Sequence, residues 1–179
     1  MRIHEFTIIA SGLDPEAEDF EDRFFEAGCD DATLSFQKGV IIVEFSRGAV
    51  SFSKAVTSAY EAVLRAGATV ERVEPDYLVS LSEIAERSGK TRQAISLYTN
   101  GGRGEGFPAP VVRVTSKHPL WDWEEVAAWL VERDALPKEE LVRARVVKEA
   151  NLHLEANGAA DDNFVRRLEA AEGLSSDQL

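Results

Sequence analysis

Two hydrophobic periodicities alternate along residues 1 to 73, and their order constrains the fold more than any other feature of this sequence. Strands place successive side chains on opposite faces of a sheet, whereas helices repeat apolar positions every three or four residues. The predicted elements are a strand at 3 to 9, a helix between Asp14 and Gly28, strands at 33 to 36 and 40 to 45, a helix at 51 to 66, and a strand at 68 to 73. The order β-α-β-β-α-β predicts a ferredoxin-like α+β domain, in which two helices cover one face of an antiparallel sheet.

Residue types locate the first helix of this domain. Asp14 is predicted to cap the helix and Pro15 to occupy its first turn, because both residue types suit a helix N-terminus. Phe20, Phe24 and Phe25 then form an apolar stripe. The fold itself names no ligand, and a dimerisation surface, a protein-partner surface and a small-ligand pocket stay open for this domain.

The charge of the chain is unevenly distributed. The whole chain has a net charge of −12, yet residues 87 to 117 hold six bases and one acid, Glu105, which gives this basic stretch a local charge of +5. Pro75 marks a domain boundary before it, because proline lacks a backbone donor and disfavours helix in the preceding residue. The predicted regions are 1 to 75, 76 to 135 and 136 to 179. Concentrated positive charge in an acidic chain indicates an anionic partner such as nucleic acid.

Residues 81 to 100 predict two short helices joined by a tight turn. Ser82 is predicted to cap the first helix, Gly89 to supply the positive φ of the turn, and Thr91 to cap the second helix. On the second helix, Ala94, Ile95 and Tyr98 should face the core. The side chains predicted to point outward are Arg92, Gln93, Ser96, Thr99 and Asn100. This outward set contains no acid, and its members suit base edges and phosphates of DNA.

These residues resemble the helix-turn-helix proteins of the MerR and phage excisionase type, including the AlpA-like regulators. Ala85, Gly89 and Ile95 stand where that motif has a small residue, a turn glycine and an apolar residue, and the resemblance covers about residues 78 to 133. Beyond the motif, it takes in a link into a wing at Phe107 to Pro110, a first wing strand at Val111 to Val114, and a closing strand and helix at Trp121 to Leu130. The sequence departs from the family at Lys90, where an apolar residue is common.

The charge, the outward helix face and the resemblance together predict a sequence-specific protein that binds double-stranded DNA and regulates transcription. The residues predicted to contact bases are Arg92, Gln93, Ser96 and Asn100. The residues predicted to contact the DNA backbone are Lys90, Thr91, Thr99, Arg103, Arg113 and Lys117. The resemblance also implies a homodimer that pairs through a helix after the winged domain and places two recognition helices on DNA half-sites.

The wing and the glycine-rich loop before it carry further expectations. Val112 and Val114 should pack inward while Arg113 points outward, and Lys117 should lie at the tip. The loop at 100 to 106 lacks the ending of a phosphate-binding P-loop. It is interpreted either as a mobile loop that orders against DNA through Arg103 or as a plain flexible connector. The tryptophans predicted to lie in the core are Trp121, Trp123 and Trp129.

The third region is predicted to begin with a long helix after Pro137. Its apolar stripe should be buried against the body of the protein or against a second copy. The stripe consists of Leu141, Val142, Val146, Val147, Ala150 and Leu154. A short helix from Asp162 to Ala171 and a frayed tail are predicted to follow.

Several function classes are disfavoured by the residues. Cys29 is the single cysteine, and the three histidines, His4, His118 and His153, lie far apart in the sequence. We therefore expect that the protein is not an enzyme and that it has neither a metal site nor a cofactor. No apolar run approaches the roughly 20 residues of a membrane span, and a soluble cytoplasmic protein is expected. The alternative hypothesis is a protein-interaction module, such as an antitoxin or adaptor, whose acidic N-terminal domain binds a basic protein partner.

Overall fold

The computed structural model describes residues 1 to 101, 104 to 158 and 162 to 173, and it divides the chain into two compact units. The sheet unit comprises Met1–Pro75 and Glu149–Leu179, and the central unit comprises Asp76–Lys148. The elements in chain order are β1 (Arg2–Ser11), α1 (Phe20–Glu26), β2 (Ala32–Gln37), β3 (Val40–Ala49), α2 (Phe52–Arg65), β4 (Thr69–Glu74), β5 (Leu78–Val79), α3 (Leu81–Ser88), α4 (Arg92–Thr99), β6 (Trp121–Asp122), α5 (Trp123–Val131), α6 (Lys138–Asn157) and α7 (Asp162–Gly173).

The sheet of the sheet unit has four strands in the order β2-β3-β1-β4, and every neighbouring pair is antiparallel. Alternate residues of the strands are buried on the face that α2 covers. Ile8 in the middle of β1, for example, lies opposite Val43 of β3 and Val73 of β4, and all three are fully buried. The structure therefore confirms the predicted α+β class and the predicted positions of the four strands of this sheet.

The first helix is shorter than the sequence predicts. It begins at Phe20, because Asp14 uses its carboxylate to accept the Glu16 N–H at 3.0 Å and so closes a local turn in place of a helix cap. The remaining two turns bury Phe20 and Phe24 only. Phe25 is 68% exposed, since it lies about 100° around the helix from its buried neighbour. The prediction that Phe25 joins the apolar stripe is wrong.

The C-terminal helix α7 packs on α2. The ring of Phe164 lies 4.9 Å from that of Tyr60, and the Glu172 carboxylate accepts the Phe52 N–H at 2.9 Å and the Ser53 N–H at 3.4 Å. Burial alone would raise the pKa of Glu172, but hydrogen bonds from the serine hydroxyls and main chain at the start of α2 outweigh burial and lower it. Glu172 therefore acts as an anionic cap on the N-terminus of α2.

The long helix α6 contributes to both units, with the boundary after Lys148. Most of its stripe is buried within the chain: Leu141 belongs to the core of the central unit, and Ala150 and Leu154 are buried in the sheet unit, whereas Val142 is half-buried. The separate region predicted from residue 136 is thus divided between the two units. The structure matches the first of the two alternatives for this stripe, burial against the body of the protein.

The outer edge of β4 is closed by a side chain of α6. The Asn151 amide accepts the Val73 N–H at 2.8 Å and donates to the Val73 carbonyl, also at 2.8 Å. These two bonds satisfy main-chain groups that a further strand would otherwise use.

Across the described parts of the chain, no helix is both long and apolar enough to cross a membrane.

Candidate nucleic-acid interface

The helix pair α3 and α4 forms the centre of the candidate interface, and local capping sets its geometry. Ser80 caps α3, because its hydroxyl accepts the Glu83 N–H at 3.3 Å while the Glu83 carboxylate accepts the Ser80 N–H at 2.8 Å. The predicted cap at Ser82 is wrong, since this reciprocal pair starts the helix earlier. Gly89 ends α3 with a φ of 65°, a left-handed conformation that glycine adopts without strain.

The second helix, α4, is anchored by its inner face. Thr91 caps it by accepting the Ala94 N–H at 3.1 Å, and Ile95 is fully buried. Ala94 and Tyr98 are half-buried on the same side, as predicted. The helix is therefore fixed in rotation about its axis, and the direction of its outer side chains follows from the buried ones.

The outer face of α4 exposes most of the residues predicted to contact bases. Arg92, Gln93 and Asn100 are exposed, whereas Ser96 and Thr99 are half-buried. The Asn100 amide donates to the Ser96 hydroxyl at 3.3 Å, which orients both groups at the end of the helix. The Thr99 hydroxyl donates to the Ser96 carbonyl at 3.0 Å, so its hydrogen is already used within the helix.

The basic stretch contains four cations with no described partner for their charge. The side chains that make no hydrogen bond or ion pair with any residue the structure describes are Lys90, Arg92, Arg113 and Lys117. The bases held in ion pairs elsewhere are Arg23, Arg47, Lys54, Arg65, Arg72, Arg133, Arg145, Lys148 and Arg167. Arg103, a further predicted phosphate contact, lies outside the described residues.

Arg87 differs from the other cations of the basic stretch. Its guanidinium donates to the Asp76 carbonyl at 2.7 Å and lies over the Trp123 ring, 5.5 Å from the ring centre. The side chain is half-buried, so these contacts hold the start of the central unit against its core. Arg87 therefore serves the fold. The cations available to an anion are those without a described partner, of which Arg92, Arg113 and Lys117 are exposed and Lys90 is half-buried.

The segment predicted as a wing is a hairpin with a single bridge. Val112 and Leu120 pair through backbone bonds, with Leu120 N to Val112 O at 2.9 Å. Arg113 has a φ of 54°, which turns the chain immediately after the bridge and prevents the predicted strand from extending. Val114 is consequently 60% exposed, and the prediction that it packs inward is wrong. Lys117 lies in the exposed turn, as predicted.

Val112, predicted to pack inward beside Val114, is also exposed, at 37%. The bridge to Leu120 is isolated, so Val112 lacks the neighbouring cross-strand pairs that would cover its side chain in a longer ladder. The hairpin thus presents valine side chains as well as cations at its surface.

The described half of the glycine-rich loop is anchored to α4 and α5. Gly104 lies directly on α4, where a Cβ atom would come within 2.5 Å of the Tyr98 carbonyl oxygen. The Glu105 carbonyl accepts bonds from Trp129 Nε1 at 3.1 Å and from the Arg133 guanidinium at 3.0 Å. From Gly104 onward, the loop is therefore fixed by contacts and is not the flexible connector of the second interpretation. The first interpretation depends on Arg103, which lies outside the described residues.

The core beneath these elements contains the three tryptophans, all buried, as predicted. Two of them are fixed by hydrogen bonds to the connecting segment, through Trp121 Nε1 to Pro108 O and Trp129 Nε1 to Glu105 O, both at 3.1 Å. Trp121 cannot stack on a base from this position, because it is 3% exposed.

An ionic network joins α6 to the start of α5. Asp122 caps α5 by accepting the Glu124 N–H at 2.9 Å, and Lys148 Nζ lies 2.6 Å from Asp122 and 2.9 Å from Glu124. Arg145 lies 3.3 Å from the same Glu124. Burial lowers the pKa of Lys148, but the hydrogen bonds to both carboxylates outweigh burial and raise it. The network fixes α5, whose buried face supports the helix pair.

No protein-family model, curated protein or solved structure matches this chain. The assignment of a function therefore depends on the residues and geometry of the chain itself.

Two observations concern metal-binding side chains and the single thiol. Within the described ranges, no group of three histidine, cysteine or acidic side chains is placed to hold a metal ion. Burial raises the pKa of the Cys29 thiol to about 11, although the nearby Arg47 opposes the rise. The thiol is thus protonated at neutral pH and is a poor nucleophile.

One exposed residue of α4 is missing from the predicted site. Leu97 is 44% exposed and lies one turn after Gln93 on the outer face. Helical spacing alone would have placed Leu97 on this face, because residues four apart lie on the same side of a helix and Gln93 is exposed. An apolar side chain at this position can contact the methyl group of thymine in a major groove.

Proposed function

We propose that the chain is a sequence-specific protein that binds double-stranded DNA and regulates transcription. The central unit would act as a winged helix-turn-helix of the MerR and excisionase type, with α4 in the major groove. The hairpin around the bridge of Val112 and Leu120 would serve as the wing, against the phosphate backbone or the minor groove. The sheet unit, with strand order 2-3-1-4, would be a ferredoxin-like domain.

The observation that carries this proposal is the contrast between paired and unpaired cations. In a chain of net charge −12, most bases outside the basic stretch have an acid within salt-bridge distance. Lys90, Arg92, Arg113 and Lys117 have none among the described residues. Unpaired cations on a short helix pair and an adjacent hairpin match the requirement for neutralising phosphates and releasing counterions.

The proposed contacts follow from the donors that each side chain still offers. Arg92, Gln93, Ser96 and Asn100 would contact bases. Lys90, Thr91, Arg113 and Lys117 would contact phosphates. The Thr91 oxygen accepts the cap bond but its hydrogen remains available, whereas the hydrogen of Thr99 is already donated to its own helix. A phosphate accepts hydrogen bonds and donates none, so Thr99 is the weakest member of the predicted set.

We also propose that the protein binds DNA as a homodimer in the cytoplasm. Two-fold pairing would place two copies of α4 on half-sites about 34 to 36 Å apart. The apolar stripe of α6 is left out of the proposed dimer interface, because most of it is buried within the chain. A palindromic binding site together with a dimeric mass in sedimentation would support this part of the proposal. A monomer bound to a single non-repeated site would contradict it.

The test of the proposal is selection of binding sites from a pool of random duplexes by the full chain at low salt, followed by sequencing. We expect one enriched motif, and we expect the same selection with Arg92→Ala to yield a motif that is weaker at specific positions. A sequenced pool without any enriched motif would overturn the proposed function.

The alternative, a protein-interaction module, is favoured by one observation, the open edge of the sheet at β2. An experiment that tests binding of a protein partner requires the full chain. A fragment that ended near residue 76 would lack α7, which packs on α2 and caps its N-terminus. Removing α7 would therefore expose a buried face and obscure the result.

A further inference from the structure

A groove of about 440 Å³ lies between α1 and β2 in the sheet unit. Apolar and acidic side chains line it together: Phe24, Phe25 and Leu34 supply the apolar surface, and Glu21, Asp22 and Asp30 supply the charge. No basic side chain lines the groove. The three acids have no ion pair or side-chain hydrogen bond with any part of the chain that the structure describes, so their charge is available to a partner.

The strand beside this groove has an uncovered edge. β2 is the terminal strand of the sheet, and no described strand pairs with its outer side. At the opposite end of the sheet, Asn151 closes the edge of β4 with two bonds to Val73. β2 is six residues long and contains no proline and no charged residue. Proline and charged residues are the features that usually protect an edge from added strands.

We propose that the outer edge of β2 and the groove beside it form a docking site for an extended basic segment of another protein. The segment would add a fifth strand to the sheet through main-chain hydrogen bonds. Its side chains on the helix side of the sheet would then enter the groove, with apolar residues against Phe25 and Leu34 and with lysine or arginine against Glu21, Asp22 and Asp30. This site is separate from the proposed DNA interface and does not depend on it.

The charge of the groove selects this occupant over the other candidates. A second copy of the chain would bring the same three acids to the same edge, and like charges placed opposite each other are destabilising. Nucleic acid would meet carboxylates in place of cations. A basic segment instead gains charge complementarity at the rim and apolar contact with Phe25, which is 68% exposed and so is available without any change in the fold.

The proposal can be tested by selecting a displayed library of random twelve-residue peptides on the full chain. The double variant Glu21→Lys and Asp22→Lys reverses the charge of the groove at exposed positions of α1. The matched control, Glu16→Lys and Glu18→Lys, makes the same change in net charge at exposed positions outside the groove lining. We expect enriched peptides that alternate basic and apolar residues, and a dissociation constant about tenfold higher for the groove variant but not for the control.

A second measurement distinguishes β2 docking from general attraction between charges. We expect the enriched peptide to slow hydrogen exchange at amides of Ala32–Gln37 and to shift their NMR resonances, with little change in β4. The proposal is overturned if no peptide family is enriched, if the groove variant and the control bind equally well, or if the β2 amides are unaffected. It is also overturned if the chain dimerises through β2 and Phe36→Lys, at an exposed position of that strand, makes it monomeric.

Discussion

Single residues of the basic stretch have two different tasks. Arg87 donates to a main-chain carbonyl and lies over Trp123, so its charge is used inside the central unit. Arg92, at the start of α4, is exposed and has no acidic partner among the described residues. Net charge alone does not distinguish the two, whereas the contacts of each guanidinium do.

Replacing Arg92 by alanine should weaken binding to the selected duplex by about 1 to 3 kcal/mol and relax the preference at specific base pairs, because paired bonds to guanine would be lost. Fluorescence anisotropy with the selected duplex and with single-base variants measures both effects. Arg23→Ala is the matched control, since Arg23 is a half-exposed arginine of α1 in an ion pair with Asp19. An equal loss of affinity for every sequence would show that Arg92 contacts only phosphate.

Gly104 should not tolerate a side chain. In Gly104→Ala, the added Cβ would lie 2.5 Å from the Tyr98 carbonyl oxygen, so the loop or α4 must shift. We expect a loss of about 1 to 3 kcal/mol in the free energy of unfolding, measured with urea. Gly173→Ala is the control, because nothing lies within 4 Å of its added Cβ. Equal stability of the two variants would contradict the close packing of this loop on α4.

At the scale of elements, the ionic network between α6 and α5 should determine the stability of the central unit. Lys148→Met leaves Asp122, a largely buried acid, without its cation. We expect a loss of about 2 to 4 kcal/mol, below the upper range for a fully buried pair because the Lys148 side chain keeps 22% exposure. Thermal unfolding checks this, with Lys138→Met at an exposed position of the same helix as control.

The sign of the pH effect for Lys148 follows from its raised pKa. Its contribution should be complete at neutral pH, below the ordinary value of 10.5, and should disappear only as the pH rises through the raised value. A variant with wild-type stability at neutral pH would show that the network does not support α5.

The docking of α7 should depend on pH in the acidic range. The pKa of Glu172 is lowered in the folded chain, so its contribution is complete above the ordinary value of 4.5 and is lost as the pH falls through the lowered value. Glu172→Gln should therefore be less stable than the wild type at neutral pH, by about 1 to 3 kcal/mol, and the difference should shrink in acid. Urea unfolding at several pH values measures this, and Glu169→Gln, which removes an exposed ion pair, should have a smaller effect.

Elements with strong local signals could be predicted from the sequence, and contacts between distant residues could not. Periodicity locates the four strands and α2, and Gly89 locates the turn between α3 and α4. The position of Val114 could not be predicted, because it depends on the backbone of Arg113 and not on alternation. The bonds of Asn151 to Val73 connect residues 78 positions apart, and no local pattern indicates them.

The candidate site shows the same limit. The outward positions of α4 follow from helical spacing, so the exposure of Arg92 and Gln93 could be predicted from the sequence. The use of Arg87 inside the fold depends on Trp123 and Asp76, which only the tertiary structure brings to it. Helical spacing therefore predicts which side chains point outward, whereas the partner of each charged side chain can be identified only from the tertiary structure.

At the scale of the whole molecule, charge is distributed so that the two units would attract different partners. The unpaired cations of the basic stretch, Lys90, Arg92, Arg113 and Lys117, belong to the central unit, and the unpaired acids of the groove belong to the sheet unit. A net charge of −12 weakens general attraction to nucleic acid, so productive binding would require the specific contacts of the central unit. The docking site on β2 would instead admit a basic protein segment.

The salt dependence of DNA binding is the sharpest test of the proposed function. The affinity of the full chain for its selected duplex is measured by anisotropy over a range of salt concentrations. If Lys90, Arg113 and Lys117 each neutralise one phosphate, the slope of log affinity against log salt should be about −2.7, and glutamine at these three positions should bring it close to zero. A wild-type slope near zero, or a slope that the three substitutions leave unchanged, would contradict DNA binding through these cations.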